Sequence, residues 1–159
     1  MGNINLFFWI FGAEYVIYIM FFIIFVLGFK GKPNDKKSFL ICLLTIPIAL
    51  LIIRIIHLFY FEPRPFITLN FIPLVKEANN ASFPSRHATI SSVIAFSFLF
   101  FKSKWSPVFL AAALWIGFSR IYVGVHYPLD ILGGFIVGII SLMIALQIKR
   151  LLKRFFLPV

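Results

Sequence analysis

Long apolar runs separated by short polar segments dominate this chain. A transmembrane helix needs about 20 consecutive apolar residues, and five runs approach or exceed that length. They are Leu6–Phe29, Ser38–Phe61, His87–Phe101, Pro107–Tyr122 and Pro128–Ile148. The third and fourth are short, so we expect their ends to extend into flanking polar segments or the bilayer to thin around them. The pattern predicts an all-α, polytopic membrane bundle with about five transmembrane helices, forming one domain over residues 1–159.

Basic residues are unevenly divided between the two ends of these predicted helices. Ten of the 15 lie in loops on one side: Lys30, Lys32, Lys36, Lys37, Lys102, Lys104, Lys149, Arg150, Lys153 and Arg154. Because cytoplasmic loops are enriched in Lys and Arg, we expect the N-terminus outside, the C-terminus inside, and these ten residues to act as anchors near anionic lipid. The net charge of +10 is spread over short loops, so nucleic acid is not an expected partner.

The hydrophobic fraction supports the same class of protein. It reaches 62%, whereas a soluble domain is usually nearer half apolar. We therefore expect an integral protein of the plasma membrane. The segment Met1–Asn5 contains no Lys or Arg, which is unlike the basic start of a signal peptide, so the first run is expected to be a retained helix.

Three short polar islands interrupt the apolar pattern, each where an apolar run ends. They are His57–Pro65, Pro84–His87 and Ser119–Asp130. They contain arginine, whose planar fork of donors matches phosphate oxygens, and histidine, which can attack phosphorus or transfer a proton near neutral pH. The charge count places all three islands on the outer face. We therefore expect a phosphate-bearing lipid substrate at the extracytoplasmic surface of the membrane.

The third island contains His126 and Asp130 at a spacing of four. Pro128 suits the first turn of a helix, which puts His126 at the helix mouth and Asp130 about one turn below, on the same face. A carboxylate that accepts from one imidazole nitrogen leaves the other free as a nucleophile. Taken alone, the spacing also fits a histidine that caps a helix at the membrane interface.

The second island combines a helix start with cationic side chains. Ser85 is a good N-cap, and the first N–H groups of the following helix then point outward, toward an anion. Ser85, Arg86 and these amides can cradle a phosphate, with His87 placed to protonate a leaving oxygen. An ordinary cap explains the island equally well in isolation, and Arg64 and Arg120 singly fit arginines that reach headgroups. Their common location on one face favours a joint phosphate site.

These residues resemble the signature of the type 2 phosphatidic acid phosphatases, a superfamily that includes bacterial acid phosphatases and vanadium haloperoxidases. Its motifs are Lys-x6-Arg-Pro, Pro-Ser-Gly-His and Ser-Arg-x5-His-x3-Asp. The third motif matches in full, at Ser119, Arg120, His126 and Asp130. The second has Arg86 in place of Gly, and the first has His57 in place of Lys.

Longer strings at Tyr60–Phe66, Ala81–Ser85, Gly117–Ile121 and His126–Pro128 resemble the bacitracin-resistance type of undecaprenyl pyrophosphate phosphatase. The resemblance implies a membrane hydrolase of cell-wall biogenesis that converts undecaprenyl diphosphate to the monophosphate. It implies no metal and no other cofactor. In agreement, the five carboxylates of the chain are scattered along the sequence rather than clustered.

The resemblance also implies residue roles. His126 would be the nucleophile that forms a phosphohistidine, with Asp130 orienting it. His87 would protonate the leaving oxygen and then activate water. Arg64, Arg120 and Ser85 would hold the non-bridging phosphate oxygens. The positive charge of the family lysine is missing here, and one of three residues would supply it: Arg86, Arg54 or protonated His57.

Two other functions stay open on the sequence. A phosphatase for phosphatidic acid or phosphatidylglycerophosphate is one, because a headgroup pocket recognises phosphate while the tail lies in lipid. A non-enzymatic anion channel or transporter is the other. The polar residues of a channel would be expected along the depth of the bilayer, whereas the polar residues of this chain gather at one face.

A final expectation concerns two charges inside the predicted spans. Glu14 and Arg54 both lie roughly 11 Å below the outer end of their helices at 1.5 Å per residue. An unpaired charge at such depth is costly. We therefore expect Glu14 and Arg54 to pair, directly or through water, beneath the phosphate site; the alternative is that each side chain separately reaches the surface or a wet cavity.

Overall fold

The computed structural model describes residues 2–156, with side chains for residues 5–153. Over that range the chain is all-helical and contains no β-strand. The helices are α1 Gly2–Glu14, α2 Val16–Lys30, α3 Pro33–Phe59, α4 Pro65–Thr68, α5 Arg86–Phe100, α6 Ser106–Tyr122 and α7 Pro128–Phe156. The all-α prediction is confirmed. The side chain of the predicted anchor Arg154 lies outside the described residues.

The length of each helix decides whether it could cross a membrane by itself. α3 and α7 are long and apolar enough to cross a membrane, and α1 with α2 forms a third candidate span if the bent pair is counted as one. α5 and α6 contain 15 and 17 residues, fewer than the about 20 that a bilayer requires. α5 packs against α3, α6 and α7, so it occupies the centre of the bundle.

The first apolar run forms two helices, which corrects the single helix expected over Leu6–Phe29. α1 and α2 meet at Tyr15 with a bend of 51°. The carbonyl of Ala13 accepts a hydrogen bond from Arg120 Nη1 at 3.4 Å. A side chain that engages a carbonyl of the helical ladder is a known cause of kinks. The bend brings the end of α1, including Glu14, against the end of α6.

Small residues hold the starts of α5 and α7 close together. A Cβ at Gly134 would lie 2.9 Å from the Ser85 carbonyl oxygen and 3.1 Å from Thr89 N, so only glycine fits there without displacement. Small residues allow such close approach of membrane helices. The two helix starts are also joined directly, because Ser85 N donates to the Asp130 carbonyl at 3.1 Å.

The segment of residues 60–85 connects α3 to α5 and carries the short helix α4. It is tied back to the bundle by backbone hydrogen bonds, including Leu74 N to the Val123 carbonyl at 3.1 Å. Its last residue begins α5: Ser85 Oγ accepts from Ala88 N at 3.4 Å, so the predicted N-cap is confirmed. The segment therefore lies over the end of the bundle at which the three polar islands meet.

Candidate active site

His126 and Asp130 form a buried pair at the start of α7. Asp130 Oδ2 accepts from His126 Nδ1 at 3.0 Å and from Tyr127 N at 2.9 Å. The Ser82 hydroxyl donates to the same oxygen and lies 3.3 Å from His126 Nδ1. Because the carboxylate only accepts, Nδ1 carries the imidazole proton, and the lone pair lies on the unprotonated Nε2. This is the arrangement of an oriented nucleophile.

The surroundings of His126 keep its ring neutral. Burial, together with the charges of Arg120 and Arg64, lowers the pKa of the His126 imidazole, whereas the hydrogen bond with Asp130 raises it; the net result is a fall from 6.5 to about 4. The ring is therefore unprotonated at neutral pH. A neutral imidazole with a free Nε2 is the form that can attack phosphorus.

Arg64 is aimed at that free nitrogen. Its Nη1 lies 3.3 Å from His126 Nε2 and donates to the Val125 carbonyl at 3.0 Å. Nε and Nη2 both donate to Asn80 Oδ1, at 3.1 and 2.8 Å. The guanidinium is thus fixed on three sides. A phosphoryl group attacked by Nε2 would place an oxygen next to this cation, where it stabilises developing negative charge.

Arg120 joins the same cluster through a carboxylate from the loop. Glu77 accepts a hydrogen bond from Arg120 Nη2, and its other oxygen lies 3.5 Å from Arg64 Nη2. Burial opposes ionisation of Glu77, but Arg120 and Arg64 outweigh burial and hold the pKa of its carboxyl below the ordinary value; His87 contributes weakly in the same direction. Both arginines are buried, with 2% and 1% of their side chains exposed.

The part of the chain that contains this cluster matches a known protein family. Residues 38–154 match the family model described as the PAP2 superfamily. The chain belongs to the PAP2 superfamily. The predicted recognition and the prediction of a phosphatase are confirmed.

Relatives of known identity agree with this assignment. The chain is 36% identical to the undecaprenyl-diphosphatase BcrC of Bacillus subtilis over 146 residues, 92% of this chain and 76% of that protein. It superposes on the crystal structure of Aquifex aeolicus LpxE with a TM-score of 0.66 at 29% identity, over 88% and 81% of the two chains. A PAP2-type phosphatidylglycerolphosphate phosphatase from Bacillus subtilis gives a TM-score of 0.59 at 27% identity, over 93% and 76%. With the candidate spans, these relatives identify an integral membrane protein.

The remaining PAP2 motif residues lie around the core of the site. Ser85 caps α5 and is bonded through its backbone to α7. His87 is half-buried in the first turn of α5, and Arg86 beside it is exposed. His57, near the end of α3, lies with its Nε2 3.0 Å from the Phe83 carbonyl oxygen. The residue that replaces the family lysine is therefore tied to the loop just before the second motif.

The predicted pair between Glu14 and Arg54 is wrong. Glu14 Oε1 instead lies 3.6 Å from Arg120 Nη1, because the bend after Glu14 directs it toward α6. Arg54 is on an exposed face of α3. Among the described side chains, no carboxylate oxygen lies within 4.0 Å of it. Two residues at equal depth in the membrane pair only if the helix faces that carry them meet, and depth does not determine this.

Three polar residues of the loop complete the PAP2 site without having been predicted. Ser82 binds both members of the His126–Asp130 pair, while Asn80 holds Arg64 and Glu77 joins the two arginines. Their signal in the sequence is weak: small polar or acidic residues between the first two motifs. Their positions depend on how the loop folds over the bundle.

Proposed function

We propose that this chain hydrolyses a polyprenyl diphosphate, undecaprenyl diphosphate in particular, to the monophosphate and phosphate. The observation that carries the proposal is the free Nε2 of His126, with Asp130 behind the ring and Arg64 3.3 Å in front of it. The similarity to the undecaprenyl-diphosphatase BcrC supports the choice of substrate. Exposed Arg86 supplies positive charge for the second phosphate in place of the family lysine.

The proposed mechanism has two displacement steps. His126 Nε2 attacks the terminal phosphorus, the bridging P–O bond breaks, and His87 gives a proton to the departing monophosphate oxygen. Arg64, Arg120 and Ser85 hold the non-bridging oxygens, while Asp130 stabilises the cationic imidazole. His87 then takes a proton from water, which attacks the phosphohistidine and releases phosphate with regeneration of His126. No step requires a metal ion or another cofactor.

The proposed topology has five spans, with the N-terminus outside and the C-terminus inside the plasma membrane. The short helices α5 and α6 cross as part of the bundle, with α5 packed against α3 and α7, and α6 packed against α5 and α1. The candidate site lies at the ends of α3, α5 and α6 opposite to their lysine-flanked ends, which supports an extracytoplasmic active site under the positive-inside rule. Impermeant labelling of single cysteines placed at Asn79 and Asn34 tests this: only the first is expected to react from outside.

A phosphatidylglycerophosphate phosphatase is the second candidate. It is favoured by the structural similarity to the Bacillus subtilis phosphatidylglycerolphosphate phosphatase, and phosphatidic acid is a related candidate substrate. The same His126–Arg64 geometry serves a monoester as well as a diphosphate. The discriminating features are therefore the groups that bind the second phosphate.

The deciding experiment is phosphate release by the purified full-length chain in lipid nanodiscs. Undecaprenyl diphosphate, phosphatidic acid and phosphatidylglycerophosphate are compared with excess chelator present throughout. We expect the highest kcat/KM for undecaprenyl diphosphate, and a selective loss of this preference in Arg86→Gln. A preference for either glycerolipid would replace the proposed substrate, and a strict requirement for Mg²⁺ would contradict the mechanism. Absence of hydrolysis together with anion flux would favour a channel.

A further inference from the structure

The phosphate-binding arginines already share an anionic partner within the protein. Glu77 bridges them, with one oxygen hydrogen-bonded to Arg120 Nη2 and the other 3.5 Å from Arg64 Nη2. Its side chain is 14% exposed. A carboxylate and a phosphate accept from the same face of a guanidinium. The position of Glu77 is therefore that of a phosphate oxygen pair.

The donors of Arg64 show that a phosphate and Glu77 compete for the same groups. The guanidinium has five N–H donors. The single donor on Nε and one of the two on Nη2 bond to Asn80. One of the two donors on Nη1 bonds to the Val125 carbonyl. The two that remain face His126 Nε2 and Glu77. A phosphoryl group positioned for attack by His126 must use these two.

Arg120 has donor capacity left over for a ligand. Its Nη2 is engaged by Glu77, and its Nη1 faces Glu14 and the Ala13 carbonyl. Its Nε is buried and has no hydrogen-bond partner among the described residues. An unsatisfied buried N–H is costly, and an oxygen acceptor supplied by a ligand removes that cost.

A bound phosphate and the Glu77 carboxylate cannot both occupy this position. Two negative charges a few ångströms apart repel strongly in a partly buried site. Glu77 lies in the loop between α4 and α5, outside any regular helix, and its neighbours Lys76 and Ala78 are exposed. A rotation of its side chain toward solvent therefore frees both arginines without disturbing a helix.

We propose that Glu77 is a tethered competitor that occupies the phosphate subsite in the empty enzyme and leaves when substrate binds. It compensates two buried cations while the site is empty. It weakens the binding of simple phosphate, and its return to the arginines favours release of the product phosphate. The proposal rests on the proposed function only in assuming that this site binds phosphate, whatever lipid carries it.

The test is phosphate binding by the full-length Glu77→Gln variant in detergent. Inorganic phosphate and orthovanadate are titrated calorimetrically, and Tm is measured with and without phosphate. We expect at least a tenfold lower Kd for phosphate in Glu77→Gln, a lower Tm without phosphate, and a larger rise of Tm on adding it than in wild type. Glu62→Gln is the matched control, because Glu62 lies in the same loop with Tyr60 as its side-chain partner; wild-type values are expected.

Equal or weaker phosphate binding by Glu77→Gln would overturn the proposal, because Glu77 would then position the arginines rather than compete for them. Glu77→Asp covers the case in which glutamine at this position prevents folding. It keeps the charge with a shorter reach, and an intermediate Kd is expected. If Glu77→Gln binds phosphate more tightly but no lipid diphosphate is hydrolysed by either protein, the proposed substrate fails while the competitor role stands.

Discussion

The two ends of the bundle each contain a buried aspartate, and they use it differently. At the lysine-flanked end, Asp35 accepts from Ser103 Oγ at 2.5 Å through Oδ1 and from Lys32 N at 2.9 Å through Oδ2. At the other end, Asp130 gathers its hydrogen bonds on Oδ2, and its Oδ1 is buried with no partner among the described residues. The first carboxylate is fully satisfied as a cap, whereas the second is oriented toward a histidine.

The surrounding charges differ in the same way. The lysines near Asp35 are exposed, so they remain solvated and require no partner. Arg64 and Arg120 are buried, and buried cations persist only when paired. The site differs from the lysine-flanked end in the burial and mutual pairing of its charges, because both ends carry charge. Substitutions at matched positions of the two ends test this difference.

The largest effect is expected from the two aspartates. Asp130→Asn reverses the hydrogen bond that sets the His126 tautomer, so we expect kcat to fall by about 10³- to 10⁴-fold, with a stability loss of about 1–3 kcal/mol because Asp130 also accepts from Ser82 and Tyr127. Asp35→Asn leaves the site intact but weakens the cap, so we expect a loss of about 1–3 kcal/mol in stability with near-normal kcat. Both variants are measured in phosphate-release and thermal-unfolding assays. Loss of kcat in Asp35→Asn, or normal kcat in Asp130→Asn, would contradict the difference between the two ends.

The next effect concerns pH. A histidine nucleophile with an ordinary pKa of 6.5 would lose about 30-fold in its neutral fraction at pH 5. Because burial lowers the pKa of His126 to about 4, the ring stays unprotonated over that range. In a His87→Gln variant, where the general acid no longer titrates, we expect the residual rate of phosphohistidine formation under saturating substrate to change less than about threefold between pH 7 and pH 5, and to fall only near pH 4. A decline centred at pH 6.5 would show that His126 is not shielded.

A smaller effect is expected for the hydroxyls that support the two aspartates. Ser82→Ala removes one donor to Asp130 but leaves the His126 and Tyr127 bonds, so we expect kcat to fall about tenfold. Ser103→Ala removes the matching donor to Asp35, and only Tm is expected to fall. Equal kcat in both variants would mean that Ser82 is a structural residue like Ser103.

The smallest effect is expected at the exposed lysines. Lys102→Gln and Lys104→Gln should leave kcat within about twofold and stability within about 0.5 kcal/mol, because neither side chain is buried. A larger loss of kcat in nanodiscs would show that this end takes part in function.

These contrasts also show what could be predicted from the sequence. The apolar runs put the site-bearing ends of α3, α5, α6 and α7 within two residues of their observed positions, and the motif spacing predicted the pair His126–Asp130, because both signals depend on neighbouring residues. At the bend near Tyr15, the Ala13 carbonyl accepts from Arg120, which lies over a hundred residues away along the chain. Glu77, Asn80 and Ser82 were missed for the same reason: a loop without periodic pattern takes its shape from the surface on which it folds.

The most direct test of the account is to trap the intermediate. The full-length chain is mixed rapidly with undecaprenyl diphosphate labelled in its terminal phosphate, denatured in alkali to preserve phosphohistidine, and mapped by mass spectrometry. We expect label on His126, formed and lost at rates compatible with kcat, and no label in His126→Asn. Label on another residue, or turnover by His126→Asn at more than about a thousandth of the wild-type rate, would contradict it.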